Sequence, residues 1–268
     1  MGFELLNGTT LDSNSHWLSR QLVDAGVTVF RKTTVGDHLK DIAGAFRESL
    51  SRNPEWIFSI GGLGPTYDDK TVQGLGIALG RRLIRNELAV RMLVDWYRKR
   101  ADLLGTSYKR PTKSSLKMAL MPIGATPLRN SAGSASGVMC NVTRTTVIVF
   151  PGVPREMRAI FLEDVKPILV EKSGGHVRKE IWMAVKGVGE SHLAYPLKII
   201  AKIASPDVYV KTHPIGFSRG APVLKVQLIA KDFKTGEKSD LKLKQASDAI
   251  SKTVSKFHGR ITRTWSIG

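Results

Sequence analysis

Asp68 and Asp69 are adjacent carboxylates in a glycine-rich stretch, Gly61-Gly62-Leu63-Gly64-Pro65-Thr66-Tyr67-Asp68-Asp69-Lys70-Thr71. Glycines let backbone N–H groups approach an anion closely. Carboxylates beside such a cradle suit a divalent cation that bridges carboxylate and phosphate oxygens. The chemistry is that of a phosphate ester, with Gly61, Gly62, Gly64 and Thr66 as backbone and hydroxyl donors. Asp68 and Asp69 are the cation ligands, and a cation there would polarise a phosphoryl oxygen and activate water. A tight turn ahead of an acidic helix start would also use glycines. The run Gly-Gly-x-Gly-Pro-Thr-x-Asp-Asp is longer and more particular than such a turn needs. A second stretch, residues 130–137 (Asn-Ser-Ala-Gly-Ser-Ala-Ser-Gly), offers another cradle through Gly133, Ser134 and Ser136. Glu4 adds a third carboxylate if a strand precedes it and brings it to the same sheet edge.

Other chemistries fail on spacing. Gly133 to Gly137 has Ala135 where a serine nucleophile would stand. Gly64 is followed by Pro65-Thr66, so no Walker lysine is in place. The six histidines (16, 38, 176, 192, 213, 258) have no metal-ligand spacing. Gly187-Val188-Gly189-Glu190-Ser191 reads as a strand-to-helix link with Ser191 as the cap.

The elements that would position these groups alternate. Asp12 or Ser13 caps a helix with Trp17, Leu18, Leu22 and Val23 on its apolar side, ended by Gly26. Residues 27–30 (Val-Thr-Val-Phe) predict a strand. Asp37 caps a helix with Leu39, Ile42, Ala43, Phe46 and Leu50 as its stripe. Residues 56–60 are an apolar run that reads as a buried parallel strand, so the glycine loop joins a strand to a helix and its free N–H groups point at one place. That helix ends at Gly80. Asn86 caps a longer one, with Leu88, Met92, Trp96 and Leu103 facing inward. Residues 105–116 are a basic excursion. Strands follow at 138–140 and 146–150. Pro154 opens a helix that buries Met157, Ile160, Phe161, Val165 and Leu169. Such alternation predicts an α/β fold with helices on both faces of a mostly parallel sheet. In that architecture ligands gather outside the carboxyl ends of the strands.

Ser173-Gly174-Gly175 marks the predicted boundary, with an α/β domain over 1–172 and a small basic α+β domain over 176–268. The second domain reads β-α-β-β-α with a final strand at Ile261, compatible with a KH-like module. Residues 172–268 hold 18 Lys+Arg against 7 Asp+Glu, a net of +11 within a chain total of +18. This attracts polyanions, so a nucleic-acid-binding module is an alternative reading. No Gly-x-x-Gly clamp accompanies it, and nucleic acid is not the favoured partner. With 268 residues, 42% of them hydrophobic, the chain suits a soluble two-domain protein. Cys140 is the only cysteine, a small buried hydrophobe in this reading. One cysteine and no basic-then-apolar leader imply a cytoplasmic setting, and no apolar run is long enough to cross a membrane.

These motifs resemble the CinA-type branch of the molybdopterin-binding (MogA/MoeA-like, MoCF biosynthesis) domain family. Residues 61–71 resemble its signature. Glu4 to Gly8 with Asp12 and Asn14 resembles its opening loop, Asn130 to Gly137 its second glycine loop, and Pro151-Gly152-Val153-Pro154-Arg155-Glu156-Met157 its late motif. Gly187 to Ser191 looks like the start of the small domain that follows in CinA proteins. Members carry an apolar strand ahead of the opening loop, where this chain reads Met1-Gly2-Phe3. The resemblance implies a three-layer α/β/α domain with its ligand across the glycine loops. It implies a divalent-metal-dependent pyrophosphatase (Mg, Mn or Co) acting on ADP-ribose-like dinucleotides, or else molybdopterin binding or adenylyl transfer. It also implies a homodimer and a nucleotide or pterin phosphate as ligand. In the same terms Asp68 and Asp69 are the catalytic and metal residues, with Glu4 beside them. Gly61, Gly62, Gly64, Thr66, Asn130, Gly133, Ser134 and Gly137 contact the ligand, and Glu156 lines or supports the site. The C-terminal deamidase domain of full-length CinA proteins has no counterpart in these residues.

Overall fold

The computed structural model describes residues 1–173, 179–204, 208–230 and 236–267. The chain forms two units, one of Met1–Arg20 with Val29–Ile168 and one of Gln21–Thr28 with Leu169–Gly268. Gly174 and Gly175, the predicted boundary, lie outside the described residues.

In the first part of the chain, α1 (Phe3–Leu6) precedes α2 (Ser13–Asp24). Asp12 caps α2: its carboxylate accepts the Ser15 N–H at 3.0 Å. Residues 27–30 form no strand, and Phe30 is 94% exposed. A short β-branched run becomes a strand only where a neighbour completes its ladder, and none pairs with it here. α3 (Leu39–Ser51) buries Ile42, Ala43 and Phe46. Its N-cap is His38, because the Asp37 carboxylate instead accepts the Phe3 N–H at 3.0 Å. β1 (Trp56–Ile60) and α4 (Thr71–Leu79) flank the glycine loop, and Gly80 ends α4 in the left-handed region.

β2 (Leu83–Arg85) leads to α5 (Glu87–Leu104), where the Asn86 side chain accepts the N–H groups of Leu88 and Ala89. The buried residues of α5 are Ala89, Leu93 and Ala101, while Leu103 is 87% exposed. The predicted stripe of Leu88, Met92, Trp96 and Leu103 is thus rotated by about one position. Asn86 also donates to the Ala125 carbonyl at 3.3 Å, which helps fix the helix rotation, and small alanines allow close packing. α6 (Lys113–Leu116) and a single 3-10 turn precede β3 (Leu120–Pro122), which pairs with β2.

β4 (Thr126–Leu128), β5 (Gly137–Val142) and β6 (Thr145–Phe150) complete the main sheet, ordered β1-β6-β5-β4. The sheet is mixed: β1 and β6 are parallel and the other two pairs antiparallel. β6 is buried throughout and serves both faces. Val147 and Val149 join Ile42, Phe46 and Leu75 of α3 and α4 in one cluster. Phe150 meets Phe161 on the other side at 6.4 Å between ring centroids. Each such apolar side chain contributes roughly 1.5–3 kcal/mol on burial. Pro154 opens α7 (Pro154–Ile160), a π turn follows at Phe161–Val165, and α8 (Lys166–Ser173) continues it. Met157, Ile160, Phe161, Val165 and Leu169 are all buried. Cys140 on β5 is fully buried too, and burial pushes its thiol up to about 11.

The second unit contains β7 (Glu180–Lys186), α9 (Glu190–Ala204), β8 (Val208–Ser218), β9 (Ala221–Ala230), α10 (Gly236–Lys256) and β10 (Arg260–Ile267). Its sheet runs β10-β7-β9-β8 with every neighbour antiparallel. β10 makes this the four-stranded split βαβ arrangement rather than a KH-like one. α9 starts at Glu190, one residue before the expected cap Ser191. Among the described residues no helix is long and apolar enough to cross a membrane.

Candidate functional site

Parallel strands end level with one another, and here that level is marked by Ile60 opposite Phe150. Beyond it Gly61 N–H still reaches the Phe150 carbonyl at 2.9 Å. The chain then turns through Gly61 (φ +99°) and Gly62 (φ +71°), values that favour glycine. A Cβ on Gly152 would lie 3.5 Å from the Gly61 Cα, so the turns after β1 and β6 touch. Asn14, at the start of α2, donates to the Gly152 carbonyl at 2.7 Å. Three buried oxygens have no hydrogen-bond partner among the described residues: Asn14 Oδ1, Ser59 Oγ and Thr71 Oγ1. Two of them flank the glycine loop in sequence and the third sits on the adjoining helix.

The loop itself is knotted at Thr66. Its hydroxyl bonds to Asp68 Oδ1 and stands 2.6 Å from Asp69 Oδ2, and its N–H reaches Asp69 Oδ2 at 2.9 Å. Asp69 lies over Gly64, where a Cβ would come within 2.5 Å of the carboxylate. Lys117 Nζ donates to the Thr66 carbonyl. The Thr66 hydroxyl holds the Asp68 carboxyl below the usual carboxylate range, with its own backbone amide and the nearby Lys117 and Lys70 charges acting in the same sense. Asp68 is thus ionised at neutral pH. Because its folded pKa is depressed, its stabilising contribution is present above the unfolded value and fades as pH falls through the folded one. In Thr66→Val the Asp68 carboxyl is expected to titrate higher, back towards the ordinary range. A carboxyl-detected NMR titration checks this, and an unchanged midpoint would show that the hydroxyl is not the cause.

The second group forms around Asn130. Its Nδ2 donates to Glu156 Oε2 at 2.7 Å and to the Ala135 carbonyl at 2.8 Å, while its Oδ1 accepts the Ala132 N–H. Glu156, in the first turn of α7, packs on Gly133 so closely that a Cβ there would fall 2.1 Å from its carboxyl carbon. Asn130, Gly133 and Glu156 are therefore one contact group, with Ser134 half-buried beside them. Gly137 opens β5 and is packed against Ile160 and Leu128, each 3.2 Å from a notional Cβ. That packing is a sufficient reason for glycine at this position.

Glu4 does not join Asp68 and Asp69. Among the described residues no three or more His, Cys, Asp or Glu gather as a metal cage. The expected carboxylate triad is a pair, because residues 3–6 turn into a helix instead of extending along the sheet. Lys117 was not foreseeable: it lies 51 residues from Thr66 with no local pattern to mark it. Thr71 could have been found, as the first helical residue after a glycine loop.

A family model described as a probable molybdopterin binding domain matches residues 1–171. A protein of Metallosphaera sedula is 40% identical over 85% of this chain and 82% of its own length. One of Aeropyrum pernix is 38% identical over 98% of this chain and 94% of its own. Among solved structures, the protein CinA from Thermoplasma acidophilum, described as having unknown function, superposes with a TM-score of 0.55 at 36% identity. That match covers 63% of this chain and 94% of the CinA chain.

Proposed function

The chain belongs to the molybdopterin-binding domain family that its residues 1–171 match, and on that premise we propose that residues 61–71 bind the phosphates of a nucleotide-type ligand and that the chain hydrolyses the pyrophosphate bond of ADP-ribose-like substrates with a divalent cation. The observation that carries this reading is the Thr66 hydroxyl between the Asp68 and Asp69 carboxylates, at the mouth of the glycine turn. A hydroxyl shared by two carboxylates presents their remaining oxygens as a hard, anionic donor set. Two carboxylates with phosphate and water completing the shell are a usual ligand set for magnesium. The donors present therefore fit a cation of this class, held by Asp68 and Asp69. When bound, such a cation supplies Lewis-acid polarisation of a phosphoryl oxygen and a more acidic water.

The protein's own groups have separate tasks. In this reading the backbone N–H groups of Gly62 and Gly64 meet phosphate oxygens, since the Gly61 N–H is taken by the Phe150 carbonyl and Thr71 is fully buried. Lys117 braces the loop through the Thr66 carbonyl and adds positive charge beside it. In the reaction one water oxygen bonds to phosphorus and the bridging P–O bond breaks, giving AMP and ribose 5-phosphate from ADP-ribose. The touching turns at Gly61 and Gly152 also suit pure ligand binding, which is the second reading: a pterin phosphate held without turnover, or adenylyl transfer.

The test is product release from ADP-ribose, FAD, NAD and ATP with magnesium, manganese or cobalt, resolved by chromatography. AMP from ADP-ribose, abolished by chelator, is the expected result. Folded protein that turns over none of the four but binds molybdopterin would replace hydrolysis by the second reading.

A further inference from the structure

Both helices of the second unit pack on the same face of its sheet. Leu193 of α9 and Ile250 of α10 share a core with Met183, Val185, Val226 and Leu228. Strand alternation turns the intervening residues to the opposite face. There the register sets Trp265 beside Trp182, Trp182 beside Gln227, and Gln227 beside Lys211. Arg263, Ala184, Lys225 and His213 form the adjacent row.

The two indoles stack 5.9 Å apart and within 7° of parallel, each half-buried. The His213 ring lies 5.2 Å from Trp182. Lys225 Nζ and the Arg263 guanidinium stand 5.7 and 5.4 Å from the Trp265 ring centre. The polar edges are tied down: Glu180 Oε2 accepts from Trp182 Nε1 and from Gln227 Nε2, both at 2.8 Å. Gln227 Oε1 pairs with His213 Nε2 at 2.9 Å. The platform is therefore rigid, flat and aromatic, with cations at its rim. Stacked cross-strand aromatics alone would be explained by sheet stability. Lys211, Lys225 and Arg263 around them, in a unit of strong positive charge, make the surface complementary to a chain of flat rings joined by anions.

We propose that this sheet face binds single-stranded RNA. Bases stack on Trp182 and Trp265, and phosphates pass Lys211, Lys225 and Arg263. A four-stranded sheet with aromatics on neighbouring strands is a known platform for unpaired bases. The second ring nitrogen of His213, beside Trp182, is left to meet a 2′-hydroxyl, which both donates and accepts. The inference does not depend on the phosphate chemistry of the first unit.

The test uses the full chain and a fluorescein-labelled single-stranded RNA decamer of mixed sequence, followed by anisotropy from 50 to 300 mM salt. Binding is expected, with log K falling against log salt at a slope of about −2 for three phosphate contacts. Trp265→Ala should weaken it about 5- to 150-fold, the range for one stacked base, and Trp265→Phe should retain most of the affinity. Lys211→Gln, at an exposed site that does not threaten folding, should reduce the slope by about 0.7. Three results would overturn the proposal. The first is no RNA binding at 50 mM salt by protein with a normal melting transition. The second is unchanged affinity in folded Trp265→Ala, which would leave only charge attraction. The third is equal or tighter binding of duplex RNA or of the matching DNA decamer.

Discussion

The double variant Asp68→Asn/Asp69→Asn is expected to lose metal-dependent ADP-ribose cleavage by about a thousandfold or more, corresponding to the several kcal/mol that a bound cation supplies at a phosphoryl centre. Only charge is removed, since asparagine keeps the shape and one acceptor oxygen at each position. Thr66 would still find partners in both side chains, so the loop should keep its turn. The variant should therefore melt close to the parent. The two positions are not equivalent. Asp68 is fully exposed and held ionised by Thr66. Asp69 also receives the Thr66 N–H and lies over Gly64, which leaves it less free to meet the cation, so its single variant should cost less cation affinity than Asp68→Asn. Kinetics at rising metal concentration separate the cases: partial rescue of Asp69→Asn by excess manganese, and none for the double variant. Full activity in the folded double variant would remove these carboxylates from the reaction.

Gly62→Ala has the largest expected effect on the fold of the site. A Cβ at Gly62 would sit 2.1 Å from Thr71 Oγ1 and 3.2 Å from the Thr71 backbone nitrogen. Thr71 is fully buried and begins α4, so it has nowhere to retreat. The backbone at Gly62 is left-handed, with φ +71°. Left-handed strain of roughly 1–2 kcal/mol and overpacking of roughly 1–3 kcal/mol act together, for a loss of about 2–5 kcal/mol. Denaturant unfolding measures it. Thr71→Ala in the same chain should recover the steric share and leave the backbone share, a coupling that a double-mutant cycle isolates. A loss below about 1 kcal/mol in Gly62→Ala would mean that the loop relaxes freely and is no preformed cradle.

What the residues alone reveal depends on the range of the interaction. Gly62, Gly80 and Asn86 declared their roles because turns and caps are decided within a few positions. The late motif from Pro151 was equally plain, since proline at the first helical turn and the apolar spacing from Met157 to Leu169 act locally. Residues 27–30 misled because strand formation needs a neighbour, and local composition does not say whether one exists. In α5 the large hydrophobes point a position out of phase: Ala89 and Ala101 are unremarkable as hydrophobes, yet they are buried with Leu93. At the site, the partnership of Thr66 with both aspartates is short-range and lay within reach of a sequence reading. The brace from Lys117 and the bond from Asn14 to Gly152 span long separations. Glu4 looked like a ligand only on the assumption of an extended segment, and a four-residue helix removes that assumption.

The parallel pairing of β1 with β6 joins Trp56 to Thr146 and Ile60 to Phe150. The two halves of the strand-end turn are thus about ninety residues apart in the chain. Loop closure on that scale is entropically costly and kinetically slow, so this pairing is set to form late in folding. During synthesis at about 5–20 residues per second, residues 61–71 would leave the ribosome seconds before β6 exists. Over that interval the loop has no strand end beside it and nothing to hold an anion against. Ligand affinity therefore belongs to the finished chain and not to its nascent segment, and bound ligand would lock in the pairing of β1 with β6.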